Sequence, residues 1–394
     1  MASSSVNIDD GSAAARTTGA WLAAIAAERA TFEAAARRAE EERTLPGDIV
    51  ELMRALRLFW LKTPVALGGS ELAPGDFSEI LEQLAYIDAS AAWSAMVANG
   101  ATGIMAGWLP EAGVAEIYGD PDRLPIFAGQ FLAGGTATPA AGGYRVSGRW
   151  RFCSGIEHAD WVVGCCHVDG PRDTEVIAVC APKATSTLHD TWRVAGLQGT
   201  GSGDFSLRDA FVPVTRTFDW EVDRARRGGP LYRQTQVLFV ANELSPVAVG
   251  IARRAIDDTV ELAAGTTRKG SAGALADRAV FQREIARAAA AVRSLQLLYR
   301  DAVARSWDAT LTEAAPDPAL ITQVLAEHTF VVHSCADVVA ALFRYGGGRA
   351  LALSHPMQRH LRNLVAAAQH VFVSDESYER SGRLRLQAVR DDGL

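Results

Sequence analysis

The chain is poor in the features that mark many protein classes, and each shortage excludes something. Its 394 residues contain five cysteines, an odd number, with no Cys-x-x-Cys spacing and with Cys165 and Cys166 adjacent. That pattern argues against a disulfide framework and predicts reduced thiols buried as small hydrophobes in a cytoplasmic protein. No uninterrupted apolar run approaches the roughly 20 residues needed to span a bilayer, so no membrane association is expected. The Met1 to Gly19 stretch is rich in Ser, Ala, Thr and Asp and has no apolar signal-peptide core, so it predicts a flexible tail. Basic residues do not dominate: 39 Lys and Arg against 46 Asp and Glu leave a net charge of -7. Nucleic acid is therefore not an expected partner, whereas small acidic substrates remain allowed.

Several catalytic signatures are missing as well. No Gly-x-Gly-x-x-Gly opens a helix after a strand, and Gly199, Gly201 and Gly203 lie between β-type runs, which argues against a nicotinamide domain. His-Glu-x-x-His, Glu-x-x-His and Gly-x-Ser-x-Gly are absent, so zinc protease, di-iron bundle and serine hydrolase sites are not expected. His328 and His333 are five apart, as are His355 and His360, a spacing that turns each pair onto different helix faces. No metal is expected.

What is present is a large apolar fraction, 48%, enough for two or three structural layers. The chain is organised around Ala141 to Pro213, which reads as compact antiparallel β structure. Short runs at Leu124 to Phe131, Tyr144 to Val146, Trp150 to Cys153, Trp161 to Val168, Glu175 to Ala181 and Phe205 to Val212 are punctuated by Gly142-Gly143, Asp169-Gly170-Pro171 and Gly199 to Gly203. Before it, Trp21 to Arg43, Pro46 to Arg57 and Phe77 to Val97 carry helical spacing, the last as one long helix with Tyr86, Asp88 and Trp93. After it, Leu231 to Gly265, Ala274 to Asp308, Asp317 to Tyr345 and Pro356 to Arg380 predict four long helices, enough for an antiparallel bundle. The expected organisation is a tail (1–19), an N-terminal helical domain (20–122), a middle β domain (123–228) and a C-terminal bundle (229–394).

Three segments carry a family resemblance. They are Gly-Gly-Tyr-Arg-Val-Ser-Gly-Arg-Trp-Arg-Phe-Cys-Ser-Gly (142–155), Thr-Trp-Arg-Val-Ala-Gly-Leu-Gln-Gly-Thr-Gly-Ser (191–202) with Phe211-Val212-Pro213, and Gln-Arg-His-Leu-Arg-Asn (358–363) leading to Gln369-His370. Through them the chain resembles the acyl-CoA dehydrogenase superfamily, and within it the group D oxygenase components of two-component flavin-dependent monooxygenases. The resemblance implies an α+β fold: N-terminal helices, a middle β-barrel or sandwich and a C-terminal four-helix bundle. It further implies reduced flavin (FMNH2 or FADH2) supplied by a separate reductase, O2 as co-substrate, a C4a-(hydro)peroxyflavin, and hydroxylation of a small, aromatic substrate by a homotetramer built as a dimer of dimers.

Dehydrogenases of this superfamily carry a Glu-Gly-Thr after a late Arg-Asp pair. Here the pair is Arg362-Asn363, no carboxylate falls in the following stretch Ala366 to Ser374, and His370 stands near that position. By resemblance, Ser154 meets flavin N5, and His370 either deprotonates a phenol or helps deliver a proton to the leaving flavin oxygen. Trp93, Trp150, Trp192, Phe152 and Phe131 are candidate walls of a dry pocket, with Trp93 and Phe131 toward the substrate. Gln130, Trp192, Thr200 and Ser202 are candidate flavin contacts, and Arg268 and Arg349 candidate phosphate ligands, because a guanidinium donates two parallel hydrogen bonds. Taken as residues alone, Ser154-Gly155 equally suits a hairpin turn, and His370 among Leu364, Val365, Ala368 and Val371 a core histidine. N-oxygenation of an amino group, an acyl-CoA dehydrogenase-like activity and a non-catalytic helical scaffold are the alternatives. The Ala-rich faces at Ala286 to Ala291 and Val338 to Leu342 suit packing between subunits.

Overall fold

The computed structural model describes residues 16–120, 123–170, 175–221, 224–264, 274–312 and 317–391. Helices come first: α1 (Thr18–Ala27), α2 (Arg29–Glu42), α3 (Gly47–Ala55), α4 (Pro74–Ile87), α5 (Ala89–Trp108) and α6 (Glu111–Tyr118). The helix expected from Phe77 to Val97 is in fact two. Asp88 adopts an extended backbone, and its carboxylate accepts the Ala91 N–H at 2.6 Å, which ends α4 and starts α5 in a new direction. From there α5 runs almost wholly buried through the molecule.

Seven strands follow: β1 (Phe127–Ala140), β2 (Gly143–Trp150), β3 (Trp161–Val168), β4 (Val176–Pro182), β5 (Thr187–His189), β6 (Asp204–Pro213) and β7 (Thr217–Asp219). They form one sheet in the order β5-β6-β2-β1-β3-β4-β7. It is mixed rather than purely antiparallel, since β1 pairs with β3 in parallel, with register shifts after Gln130 and Ala133. The segments expected as separate strands at Tyr144 and Trp150 are one strand, and the backbone leaves the sheet directly after Trp150. Gly142, at φ +80, closes the β1–β2 hairpin.

The C-terminal region holds α7 (Gln236–Ala241), α8 (Leu244–Ala264), α9 (Ala279–Thr312), α10 (Pro318–Phe343), α11 (Pro356–Ala367) and α12 (Glu376–Asp391). Helices α8, α9 and α10 pack on one another, and α4 packs on α8, so the first helical region is docked onto the bundle. Glu82 of α4 ties this joint: buried, it accepts hydrogen bonds from Gln296 at 2.6 Å, from Tyr299 and from Arg253. Among the described helices, α10 alone is long and apolar enough to cross a membrane, and half of its apolar stretch is buried in this packing. Val338, Val339 and Leu342 are part of that buried face, so this stretch packs within the chain, whereas Ala286, Ala289 and Ala290 of α9 are exposed. All five cysteines are free and buried. The last expected helix is broken between α11 and α12, and His370 lies in the break.

Candidate active site

Three segments distant in sequence meet at Trp93, on the second turn of α5. Its indole Nε1–H donates to Ser154 Oγ at 3.1 Å, and its ring meets the His370 imidazole edge-on, with centroids 5.7 Å apart and planes at 73°. Trp93 and Ser154 are both buried. One indole thus links a helix of the first region, the loop after β2 and the break between α11 and α12.

The loop that presents Ser154 is fixed by its own backbone. Phe152 takes a left-handed conformation, φ 60, with 64% of its surface exposed. Cys153 N then donates to Gly203 O at 3.0 Å and Gly155 N to Thr200 O at 2.8 Å. These bonds lay the loop against residues 200–203 and bring three hydroxyls into line. Thr200 Oγ1 donates to Leu197 O at 2.8 Å, Thr200 and Ser202 hydroxyls are 2.6 Å apart, and Ser202 and Ser154 hydroxyls 2.7 Å apart. Trp192 covers the same loop, donating from Nε1 to Leu197 O (3.2 Å) and Gln198 O (3.1 Å) and meeting Phe152 edge-on at 6.4 Å.

Asn363 supports this loop from α11. Its Oδ1 accepts the Leu197 N–H at 2.8 Å, and Gly196 lies so close that a Cβ there would stand 1.9 Å from Arg362 O. Sequence reasoning treats Asn363 only as a departure from an Arg-Asp pair. The signal for its role is the glycine opposite it, which is legible only once the two segments are known to touch.

His370 is not on a helix, contrary to the expectation. Helix α11 ends at Ala367, and His370 precedes a short turn, Val371–Val373, with its Nδ1 accepting the Phe372 N–H at 3.3 Å. An Nδ1 that accepts is unprotonated, so the neutral ring carries its proton on Nε2 and offers a donor. Burial pushes its pKa down to about 4, which keeps the ring neutral at physiological pH.

The other expected site residues divide. Thr200, Ser202 and Trp192 belong to the group, although the first two spend their hydroxyls on each other and on Leu197 O. Trp150 does not wall the site: it is fully buried in the β region, stacked on Phe205 at 4.8 Å with Nε1 donating to Cys165 O. Phe131 stacks on Trp220 at 4.7 Å, in a different apolar cluster from Trp93. Gln130 stands half-buried at the β1 bulge, with Oε1 accepting the Leu132 N–H at 3.2 Å. Arg349 is exposed on the turn after α10 and makes no hydrogen bond to the Trp93 group. Arg268 lies outside the described residues.

A cavity of about 190 Å³ adjoins this region between α2, α5, α8 and α11, walled in part by Asp88, Ser90, Arg254, Asp258, Arg359 and His360. Its charges face one another: Asp258 accepts from His360 Nε2 and from Arg254 Nε, each at 2.7 Å. Beside the Trp93 group, Phe152, two residues before Ser154, and Val371, next to His370, are exposed apolar side chains. A flat ring with a hydrogen-bonding edge fits that combination, because the aromatic and aliphatic faces would be covered while Ser154 Oγ meets the edge. The flavin ring implied by the sequence resemblance is such a ligand.

The chain is similar in sequence and fold to known proteins. Residues 243–375 match the family described as acyl-CoA dehydrogenase, C-terminal domain. The chain is 31% identical to an indole-3-acetate monooxygenase of Pseudomonas putida, with 88% of each chain covered. It is 30% identical to the oxygenase component of an FADH2-dependent resorcinol hydroxylase from Rhizobium sp. (strain MTP-10005), covering 86% of this chain and 87% of the relative. Among solved structures, XiaF from Streptomyces sp., determined with FADH2 and glycerol, superposes with a TM-score of 0.86 at 26% identity, over 93% of this chain and 94% of that one.

Proposed function

The chain belongs to the two-component flavin-dependent monooxygenases of the acyl-CoA dehydrogenase superfamily, and from that premise we propose that its Trp93 group hydroxylates a small aromatic molecule. It is an oxygenase component: it takes reduced flavin made by a separate reductase and uses O2 as co-substrate. When bound, reduced flavin supplies two electrons and, with O2, the oxygen atom that is transferred. Everything else falls to the chain's own residues. The observation that carries the proposal is the single indole that joins Ser154 to His370.

In this reading Phe152 lies against the flavin ring, Ser154 Oγ meets its edge, and Trp93 and His370 line the substrate's side of a compartment from which water is displaced. The tautomer of His370 favours proton delivery over proton abstraction. Its Nε2–H holds an oxygen of the substrate and supplies a proton where negative charge develops. The dehydrogenase alternative would need a carboxylate at this place, where Gln369 and His370 stand. Arg349 and Arg268 serve the flavin phosphates, FADH2 is the form taken by analogy with the resorcinol hydroxylase, and the substrate is an aromatic ring of the size of those the relatives' names describe. A homotetramer suits the exposed Ala286, Ala289 and Ala290, and a cytoplasmic location suits five free thiols.

Anaerobic titration with reduced FMN and reduced FAD, followed by O2 in the presence of indole-3-acetate or resorcinol, tests the proposal. Hydroxylated product coupled to O2 consumption is expected. In His370→Ala, reduced flavin should bind within a few-fold of wild type while product falls by about tenfold or more and O2 is diverted to hydrogen peroxide. A wild-type protein that binds no reduced flavin, or a His370→Ala variant with undiminished product, refutes it.

A further inference from the structure

The hydroxyl chain behind Ser154 has a direction that can be found by counting protons. Each hydroxyl owns one proton, a carbonyl oxygen none, and an indole N–H can only donate. Thr200 Oγ1 lies 2.8 Å from Leu197 O, and the sole proton that can stand between those two oxygens is the threonine's own. The 2.6 Å contact between Thr200 and Ser202 must then carry the Ser202 proton, and the 2.7 Å contact between Ser202 and Ser154 the Ser154 proton. Trp93 Nε1–H occupies one lone pair of Ser154 Oγ at 3.1 Å. Ser154 is left with one lone pair and no proton to offer a ligand.

We infer that the Thr200–Ser202–Ser154 chain selects the redox state of the flavin, because an acceptor-only Ser154 matches the N5–H of reduced flavin and opposes the bare N5 of oxidised flavin. The inference rests on the reading that the flavin edge meets Ser154. Reduced flavin carries a proton on N5 and donates; oxidised flavin carries a lone pair there and would face another lone pair in a buried site, where an unmade hydrogen bond is costly. Thr200 and Ser202 are positioning residues that act through Ser154. The consequence suits an oxygenase fed from solution, since it would capture the reduced cofactor and release the spent one.

The test measures dissociation constants of oxidised and anaerobically reduced FAD and takes their ratio, which needs no turnover. Ser202→Ala removes the acceptor of the Ser154 proton and frees it for N5, so the preference for reduced over oxidised FAD should fall by about tenfold, a rise of about 30 mV lost from the bound couple's shift. Thr200→Val frees the Ser202 proton to turn toward Ser154 and should move the ratio the same way, so it carries the test if Ser202→Ala folds poorly. Thr200→Ser keeps the chain and should leave the ratio within about twofold. Ser154→Ala separates the two levels of the argument. If it weakens reduced FAD while Ser202→Ala and Thr200→Val leave the ratio unchanged, Ser154 meets the flavin but the chain's direction does not select its state, and the inference fails. If Ser154→Ala alters binding of neither form, the placement of the flavin edge fails and the inference with it.

Discussion

Phe152 combines two costs that a folded chain normally avoids, an aromatic ring in water and a left-handed backbone in a residue with a Cβ. The conformation costs on the order of 1 kcal/mol for any residue but glycine, and the exposure forfeits burial of a large apolar surface. A ligand that lies on the ring recovers the second. The two parts can be separated by substitution. Phe152→Gly and Phe152→Ala should both weaken reduced-flavin binding, yet the glycine variant's apoprotein should melt at a higher temperature than the alanine variant's, reversing the usual order. Equal melting temperatures, or the ordinary order, would show that position 152 is unstrained. At this scale the sequence named Ser154 and His370 through resemblance, because they sit in or beside family motifs, and Trp93 only as an aromatic side chain suited to a pocket wall. It misplaced Trp150 for a physical reason: aromatic character is visible in a sequence, but whether an indole at the end of a strand turns to the cleft or onto Phe205 depends on the pairing of β2 with β6.

At the scale of elements, two interruptions make the site. One is Asp88, between α4 and α5, and the other is the Gln369–Ser374 segment between α11 and α12. Apolar residues keep helical spacing across both, so periodicity alone reads each pair as one helix. The breaks turn Trp93 and His370 toward each other. Burial raises the pKa of Asp88, while its bond to Ala91 N works the other way. The cap needs the oxygen rather than the charge, and so asparagine should serve. Asp88→Ala should cost about 1 kcal/mol through the lost cap and, by loosening the first turns of α5, weaken reduced-flavin binding several-fold, whereas Asp88→Asn should hold both near wild type. Thermal melts and flavin titrations of the two variants decide it; an alanine variant indistinguishable from wild type would mean that α5 is oriented by packing alone.

At the scale of the whole molecule, titratable groups are buried both where the regions join and inside the final bundle, where His328 lies between Ser245 and Asn242. Burial lowers His158, His328 and His370 to pKa values of about 4, and raises Glu243, paired with Lys62 between the first helical region and α8, to about 7. A histidine at 6.5 in the unfolded chain and about 4 in the fold leaves stability intact above pH 6.5 and removes it as pH falls toward 4, because the unfolded state then binds more protons. Each histidine contributes up to about 3 kcal/mol to that loss. Glu243 runs the opposite way between pH 7 and 4.5 and offsets about one of the three. Denaturant melts at pH 7, 5.5 and 4.5 should therefore show stability falling by on the order of 5 kcal/mol across the range, and a midpoint independent of pH would contradict the burial of these rings. The alternation of helical, β-type and helical periodicity, the absence of motifs for other chemistries and the family resemblance are properties of local sequence, since period and turn residues are set within a few positions along the chain. The parallel pairing of β1 with β3, the two helix breaks, the tautomer of His370 and the direction of the hydroxyl chain were decided only by the tertiary structure. The strand pairing and the meeting of Ser154 with Ser202 depend on which atoms of distant segments arrive within hydrogen-bonding distance, whereas the Asp88 cap and the His370 tautomer turn on contacts two or three residues away that apolar periodicity does not register.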